Sequence, residues 1–206
     1  ALQLIKERKL KGIIFLGGWF SHDEKRLKQI NVPFVLSTIS MFEGVDKKIY
    51  SSVSVDDVKE SKKAVDCLCE YGHEKIVMLA AQPWDESISG LRVQGYKKAL
   101  EKRQIPINEN LIRYTFQEET AFTMENGYKL MKELLESDEE FTAVYAISDS
   151  MAIGASKAIL ESGKKIPEDY SVMGFDGLDI AYYYNPSIST IRQPVEDMAK
   201  ETSKIL

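Results

Sequence analysis

Two charged side chains with complementary hydrogen-bonding chemistry stand out in this chain of 206 residues. Arg92 lies at the predicted start of a helix, at the end of the segment Ser-Ile-Ser-Gly-Leu-Arg. Asp176 follows directly after the apolar segment Met-Gly-Phe. A guanidinium donates a planar fork of hydrogen bonds, and a carboxylate accepts them. The two residues together indicate a site for the neighbouring hydroxyl groups of a sugar-like ligand; an ordinary surface arginine and an Asp-Gly turn are the alternatives at these positions.

Catalysis by a pair of acids is the alternative chemistry. Asp149 and Asp176 both follow predicted strands, and two carboxyl groups can hydrolyse a glycosidic bond. Acids after strands more often cap helices or form turns, which favours binding over catalysis. His73 follows a helix stop, a position typical of a surface or capping residue. The sequence has no HExxH, GxSxG, CxxC or phosphate-loop pattern, so we expect no metal site and no cofactor.

Short apolar strands alternate with longer helical patterns along nearly the whole chain. The predicted strands are 12–16, 32–36, 48–55, 75–80, 111–114, 143–147 and 171–175. The predicted helices are 1–9, 24–30, 58–71, 90–103, 120–135, 151–161 and 195–206. This alternation is typical of an α/β fold with parallel sheets. Such sheets bind ligands beyond the carboxyl ends of their strands, which is where the candidate residues fall.

Composition and charge limit the possible partners. The formal net charge of −5 and the dispersed Lys and Arg residues predict that this segment does not bind nucleic acid by itself. No apolar run is long enough to span a membrane, and Cys67 and Cys69 project to different faces of a helix. These features favour a cytoplasmic protein. Both ends fall inside predicted helices, so we expect the chain to be part of a longer protein.

Six segments, in order and at matching spacing, resemble the lactose/galactose repressor (LacI/GalR) family of bacterial regulators. Val-Ser-Val-Asp-Asp at 53–57 and Tyr-Gly-His-Glu-Lys-Ile at 71–76 come first, followed by 89–100 and 148–155. Ile-Pro-Glu-Asp-Tyr-Ser-Val-Met-Gly-Phe-Asp at 166–176 matches best, and 186–194 completes the set. Any one of these motifs is weak evidence, but together they cover nearly the whole chain.

The resemblance implies two similar doubly wound parallel-sheet subdomains with a ligand cleft between them, as in type I periplasmic binding proteins. The amino-terminal subdomain, truncated in this chain, would comprise residues 1–54 and 192–206. The carboxy-terminal subdomain would comprise residues 55–191.

The resemblance also implies roles for single residues. Arg92 and Asp176 match the effector-binding arginine and aspartate of the family. Ser148 stands where many members have a ligand-contacting asparagine, and Thr38 where many have an aspartate. Both departures shorten a polar side chain. We expect Arg92 to lie at the edge of the cleft, where its replacement should change stability little.

Phe116 or Phe122 matches a family aromatic near the ligand, and such a ring could pack against the C–H groups of a sugar. The predicted function is the effector-sensing domain of a regulator that binds a mono- or disaccharide. It would act as a homodimer and bind operator DNA through a headpiece missing from this chain. A sugar-binding protein of a transport system and a carbohydrate-active enzyme are the alternatives.

Overall fold

The computed structural model describes residues 2–17, 24–39, 46, 48–115 and 121–206. The chain folds as two compact units. Unit 1 comprises Ala1–Val55 and Pro194–Leu206, and unit 2 comprises Asp56–Gln193. Each unit contains its own parallel sheet, as the alternating pattern of the sequence predicts.

The elements alternate between strand and helix in most of the chain. The helices are α1 (Leu2–Arg8), α2 (Glu24–Lys28), α3 (Asp57–Glu70), α4 (Ile88–Lys102), α5 (Met124–Leu135), α6 (Asp149–Glu161), α7 (Asp179–Tyr183) and α8 (Val195–Ile205). The strands are β1 (Ile13–Leu16), β2 (Phe34–Ser37), β3 (Ser51–Val53), β4 (Ile76–Ala80), β5 (Ile112–Tyr114), β6 (Ala143–Ala146), β7 (Ser171–Asp176) and β8 (Ser189–Arg192).

Unit 1 is built on a small sheet with the strand order β1-β2-β3. Its core is a cluster of apolar side chains: Leu36, Ile39 and Tyr50, with Phe15, Phe34 and Ile49 packed against them. Helix α8 packs on β2 and β3. Thr202 of this helix donates a hydrogen bond to Ser37 Oγ of β2 at 3.2 Å, which fixes the returning carboxyl-terminal segment to the sheet.

Unit 2 is a doubly wound sheet. Tyr145 of β6 pairs with Met173 of β7, so the next residue, Gly174, faces the opposite side. The Tyr145 hydroxyl is hydrogen-bonded to Ser61 of α3 at 2.6 Å. A Cβ on Gly174 would instead lie 3.2 Å from the Cα of Asp149 in α6. Helices α3 and α6 therefore cover opposite faces of the sheet.

The strand order β5-β4-β6-β7-β8 determines where a ligand site can form. The chain runs from β4 outward to β5 and then returns to the other side of β4 as β6, so the order reverses between β4 and β6. In open parallel sheets, the carboxyl ends of the strands at such a reversal leave a crevice. Every residue of β4 and β6 is buried, which agrees with their unbroken apolar sequences.

Two elements of unit 2 were not predicted from the sequence, α7 and β8. Helix α7 has only five residues, and its Ile180, Tyr182 and Tyr183 are exposed, so it has no amphipathic period to detect. Strand β8, Ser-Thr-Ile-Arg, lies at the edge of the sheet and is not fully buried at any position.

Among the described residues, no helix combines the length and apolar character needed to cross a bilayer.

Helices α5 and α6 pack backbone against backbone at two glycines. A Cβ on Gly127 would lie 2.7 Å from the carbonyl carbon of Met151, and one on Gly154 would lie 2.8 Å from that of Met124. Real Cβ atoms do not approach backbone so closely, and the backbone of a packed helix cannot move aside cheaply.

We expect Gly154→Ala to lower the free energy of unfolding by roughly 1–3 kcal/mol, because the added methyl forces the two helices apart. Urea unfolding followed by circular dichroism measures the change. Lys157→Ala, at an exposed position of the same helix, is the control and should leave stability nearly unchanged. Equal stability of Gly154→Ala and the wild type would contradict this account of the packing.

His73 is hydrogen-bonded to the amino-terminal ends of two strands, at the end of the sheet opposite the crevice. Its Nδ1 is hydrogen-bonded to Thr142 Oγ1 at 2.8 Å, and its Nε2 to Ser171 Oγ at 2.9 Å. Partial burial lowers the pKa of the imidazole, because desolvation disfavours the charged form. His73 therefore connects β6 to β7 at the amino-terminal ends of these strands.

We expect the stabilising contribution of His73 to decrease as the pH falls below the ordinary histidine pKa of about 6.5. The unfolded chain then binds a proton more readily than the folded chain, and protonation favours unfolding. Melting temperatures of the wild type and His73→Gln between about pH 7.5 and about pH 5 test this. The advantage of the wild type should shrink toward the acidic end; a constant difference would contradict the prediction.

Candidate functional site

The side chain of Arg92 is buried and bonded on several sides. Only 4% of it is exposed, as is 4% of Asp57. Its Nε donates to Asp57 Oδ1 at 2.8 Å, and its Nη1 donates to the backbone carbonyl of Ile147 and lies 3.5 Å from Asp176 Oδ1. The guanidinium carbon lies 3.6 Å from the ring centroid of Phe175, within the range of cation–π attraction.

This position corrects the expectation of an arginine at the edge of a cleft that contributes little to stability. The error arose because position after a strand predicts the direction of a side chain but not its depth. A buried charge that loses one partner is strongly destabilising. We therefore expect replacement of Arg92 to lower the stability of the fold as well as the affinity for any ligand.

Arg92 and Asp176 each keep a polar atom that makes no hydrogen bond to the described residues. In the described part of the chain, the second terminal nitrogen of Arg92, Nη2, makes no hydrogen bond. Both bonds to the Asp176 carboxylate end on Oδ1, and 26% of this side chain is exposed. A guanidinium N–H and a carboxylate oxygen thus stand on neighbouring side chains without a partner among the described residues.

Asp176 has an unusual backbone conformation at the carboxyl end of β7. Its φ is 124°, and that of the next residue, Gly177, is 76°. A Cβ at Gly177 would lie 2.7 Å from the Cα of Arg192, so a glycine is required there. Positive φ is strained for a residue with a side chain, and such strain concentrates at functional sites.

Ser148 and Asp149 have separate roles at the start of α6. The Ser148 hydroxyl is the N-cap and accepts from the Met151 amide at 3.2 Å. Asp149 Oδ2 accepts from the Leu178 amide at 2.7 Å, and its Oδ1 accepts from the Thr190 hydroxyl at 2.5 Å. Both oxygens of Asp149 are therefore used to hold the turn after β7, which argues against paired-acid catalysis with Asp176.

The electrostatic environment of the cluster is dominated by carboxyl groups. Burial raises the pKa of Asp57, Asp149 and Asp176, and the Arg92 charge opposes this at all three. The charge of one guanidinium thus acts on two buried acids, Asp57 and Asp149, and on the partly buried Asp176. Among the residues described, no group of three or more His, Cys, Asp or Glu side chains is arranged to hold a metal ion.

Three further residues were predicted from the sequence to contact the ligand. Thr38 belongs to unit 1, where it follows β2 with a φ of 60° and donates to the Ser37 carbonyl at 2.6 Å. Phe122 belongs to unit 2, precedes α5 and is 41% exposed. Phe116 lies outside the described residues. Within unit 2 the structure therefore brings together Arg92 and Asp176, with Ser148 next to the carbonyl that Arg92 binds.

Sequence reasoning missed the residues that hold this pair in place. Asp57 and Gln193 lie inside recognised motifs, but nothing in the sequence indicates which side chains they contact. Gln82 was also missed: it is buried just beyond β4, and its Nε2 has no hydrogen-bond partner within the described residues. An amide directly after a buried strand was the available signal.

Comparison with known proteins identifies the family. The periplasmic binding protein-like domain family matches residues 65–206. The HTH-type transcriptional regulator MalR of Clostridium butyricum is 38% identical over 203 residues, which is 98% of this chain and 59% of that protein. The chain spans little more than half the length of the curated relatives it matches.

Solved structures agree with this match. A sugar-binding LacI-family regulator from Escherichia coli, in complex with phosphate, has a TM-score of 0.84 and 31% identity over 100% of this chain and 71% of its own. The complex of the transcriptional regulator CelR with cellobiose has a TM-score of 0.85 and 29% identity, covering 100% and 61%. These relatives are regulators, neither enzymes nor components of transport systems. The chain therefore belongs to the LacI/GalR family of transcriptional regulators and contains its periplasmic-binding-protein-like effector-binding domain.

Proposed function

We propose that this chain senses a small sugar-like effector for a bacterial transcriptional regulator, and that Arg92 and Asp176 bind this effector. The observation that carries the proposal is the unused donor–acceptor pair in unit 2. Arg92 Nη2 and Asp176 Oδ2 make no internal hydrogen bond in the described chain, while the other polar atoms of both groups are fixed. A prearranged pair of this kind binds with little loss of side-chain entropy.

The effector we propose is a mono- or disaccharide. Vicinal hydroxyls can accept from the guanidinium and donate to the carboxylate at the same time. The cellobiose in the CelR complex supports a sugar as the class of ligand. Contacts from Thr38, from Ser148 and from either Phe116 or Phe122, and a position of the effector between the two lobes, stay predictions of the family resemblance.

Operator DNA is the second partner we propose. The curated relatives are named as HTH-type regulators and extend beyond the part that this chain matches. The DNA-reading headpiece would therefore belong to a part of the protein outside this chain. The protein would act in the cytoplasm. The dispersed positive charge and the net charge of −5 agree with this division. Effector and operator binding would be coupled by about 1–3 kcal/mol, which is typical of allosteric proteins.

Replacement of the two residues tests the effector site. A thermal-shift screen of cellobiose and other mono- and disaccharides first identifies a binding sugar, because a ligand that binds the folded state raises the melting temperature. We then expect Arg92→Lys and Asp176→Asn each to weaken the binding of that sugar by roughly 1.5–3 kcal/mol in calorimetric titration, the range for hydrogen bonds to charged groups.

Arg103→Lys is the matched control, since Arg103 also pairs with an aspartate, Asp66, but on the surface of the same unit. Its affinity should equal that of the wild type. Arg92→Ala should also lower stability, because it leaves the buried Asp57 without its partner. Unchanged affinity in both Arg92→Lys and Asp176→Asn would place the effector site elsewhere.

A homodimer is the assembly we propose, as the family resemblance implies. Exposed apolar side chains occur on the terminal helices of unit 1, which include Leu4 and Val195, and on α7 of unit 2. On α7, Tyr182 and Tyr183 project next to each other with ring centroids 5.2 Å apart. Exposed tyrosine clusters are enriched at protein interfaces, and a two-fold axis would let each copy present the same patch.

We expect Tyr182→Ser/Tyr183→Ser to shift the chain from dimer toward monomer in sedimentation velocity, because the substitution removes apolar contact area. Tyr71→Ser is the matched control: Tyr71 is 82% exposed and Tyr183 is 80% exposed, but Tyr71 stands apart at the end of α3. The control should sediment like the wild type. A wild-type chain that stays monomeric at high concentration would contradict the proposal.

A further inference from the structure

Each of the two proposed effector-binding side chains is bonded to a residue beside a connection between the units. The chain enters unit 2 at Asp56 and leaves it after Gln193. Asp57 is the second residue of unit 2 and bonds Arg92, and Gln193 is the last and bonds Asp176. Both connections thus end at side chains that hold the unused donor–acceptor pair.

Asp57 determines the direction of the Arg92 guanidinium. Its Oδ1 accepts from Nε at 2.8 Å, while the flat face of the guanidinium lies over Phe175 at 3.6 Å. These two contacts fix the plane of the guanidinium and therefore the direction of Nη2. Asp57 itself is fixed because Asp56 caps α3 by accepting from the Lys59 amide at 3.0 Å.

Gln193 holds Asp176 by two hydrogen bonds. Its backbone N–H donates to the Asp176 carbonyl at 3.0 Å, and its side-chain Nε2 donates to Asp176 Oδ1 at 2.7 Å. The side-chain bond occupies Oδ1 and leaves Oδ2 open. A displacement of Gln193 would therefore rotate or release the carboxylate that accepts from the effector.

We propose that Asp57 and Gln193 are positioning residues that link the conformation of the two connections to the effector-binding pair Arg92 and Asp176. The inference rests on the proposed function, because it assumes that this pair binds the effector. By reciprocity of coupled equilibria, effector binding then changes the conformational freedom of both connections. Neither residue needs to touch the effector to act in this way.

Affinity is the first test. In calorimetric titration of the wild-type chain and its variants with the sugar from the thermal-shift screen, we expect Asp57→Ala and Gln193→Leu to bind roughly three- to tenfold more weakly. Asp57→Asn keeps an oxygen that accepts from Nε, so it should retain affinity within roughly twofold. Asp66→Ala, which removes a surface ion pair on the same helix, is the control and should bind like the wild type.

The pH profile of binding separates positioning from a general loss of structure. The charged groups that face Asp176 are Arg92 from α4 and Asp149 from α6, and Arg192 is its register partner in β8. Gln193 donates to the ionised carboxylate and so lowers the pKa that burial raises. Gln193→Leu should therefore lose affinity at a higher pH than the wild type as the pH falls, and Gln193→Glu at a higher pH still. A merely destabilised variant would keep the wild-type midpoint.

Hydrogen exchange tests the link to the connections. We expect saturating sugar to slow exchange of the backbone amides of residues 54–58 and 191–195 in the wild type, and to slow it less in Asp57→Ala and Gln193→Leu. If Arg92→Lys loses affinity while Asp57→Ala and Gln193→Leu match the wild type in affinity, pH midpoint and exchange, this inference is wrong and the proposed function stands. If Arg92→Lys and Asp176→Asn bind like the wild type, the proposed function itself is wrong.

Discussion

The structure of unit 2 depends on compensation of one buried positive charge. A guanidinium keeps its proton at any physiological pH, so a buried arginine cannot become neutral and must find acceptors in the chain. Arg92 takes them from three places: the first turn of α3, the carbonyl after β6 and the end of β7. The contact joins a helix from one face of the sheet to the carboxyl ends of two strands.

This arrangement follows from the topology of the sheet. The strand order reverses between β4 and β6, and the chain leaves β4 into the connection that carries Arg92. The ends of β6 and β7 lie on the other side of the reversal, so their carbonyl and carboxylate groups come within reach of its side chain. Asp149 then holds the turn after β7 through the Leu178 amide and the Thr190 hydroxyl, which is possible because Gly174 leaves room for α6.

Local patterns predict the fold class, which the structure confirms, and they select Arg92 and Asp176 as site residues, which stays a prediction. Alternating apolar strands and helices indicate parallel sheets, and Arg92 and Asp176 stand where such sheets bind ligands. The partners of this pair are not local: Asp57 lies 35 residues from Arg92, and Gln193 lies 17 residues from Asp176. Contacts over such separations depend on the folded arrangement of several elements, so the spacing of residues in the sequence does not predict them. Burial of Arg92 escaped prediction for the same reason.

The backbone of Asp176 has a consequence for the history and engineering of this protein. At a φ of 124° a glycine would be less strained than an aspartate, because it has no Cβ that clashes with the backbone in this conformation. Thermal selection alone would therefore favour loss of the aspartate. The proposed role of Asp176 in effector binding would account for an aspartate here against the preference of the fold. On that proposal, libraries built to make the domain more heat-resistant should keep residue 176 fixed, because the most stable variants would otherwise be those that have lost the proposed effector contact.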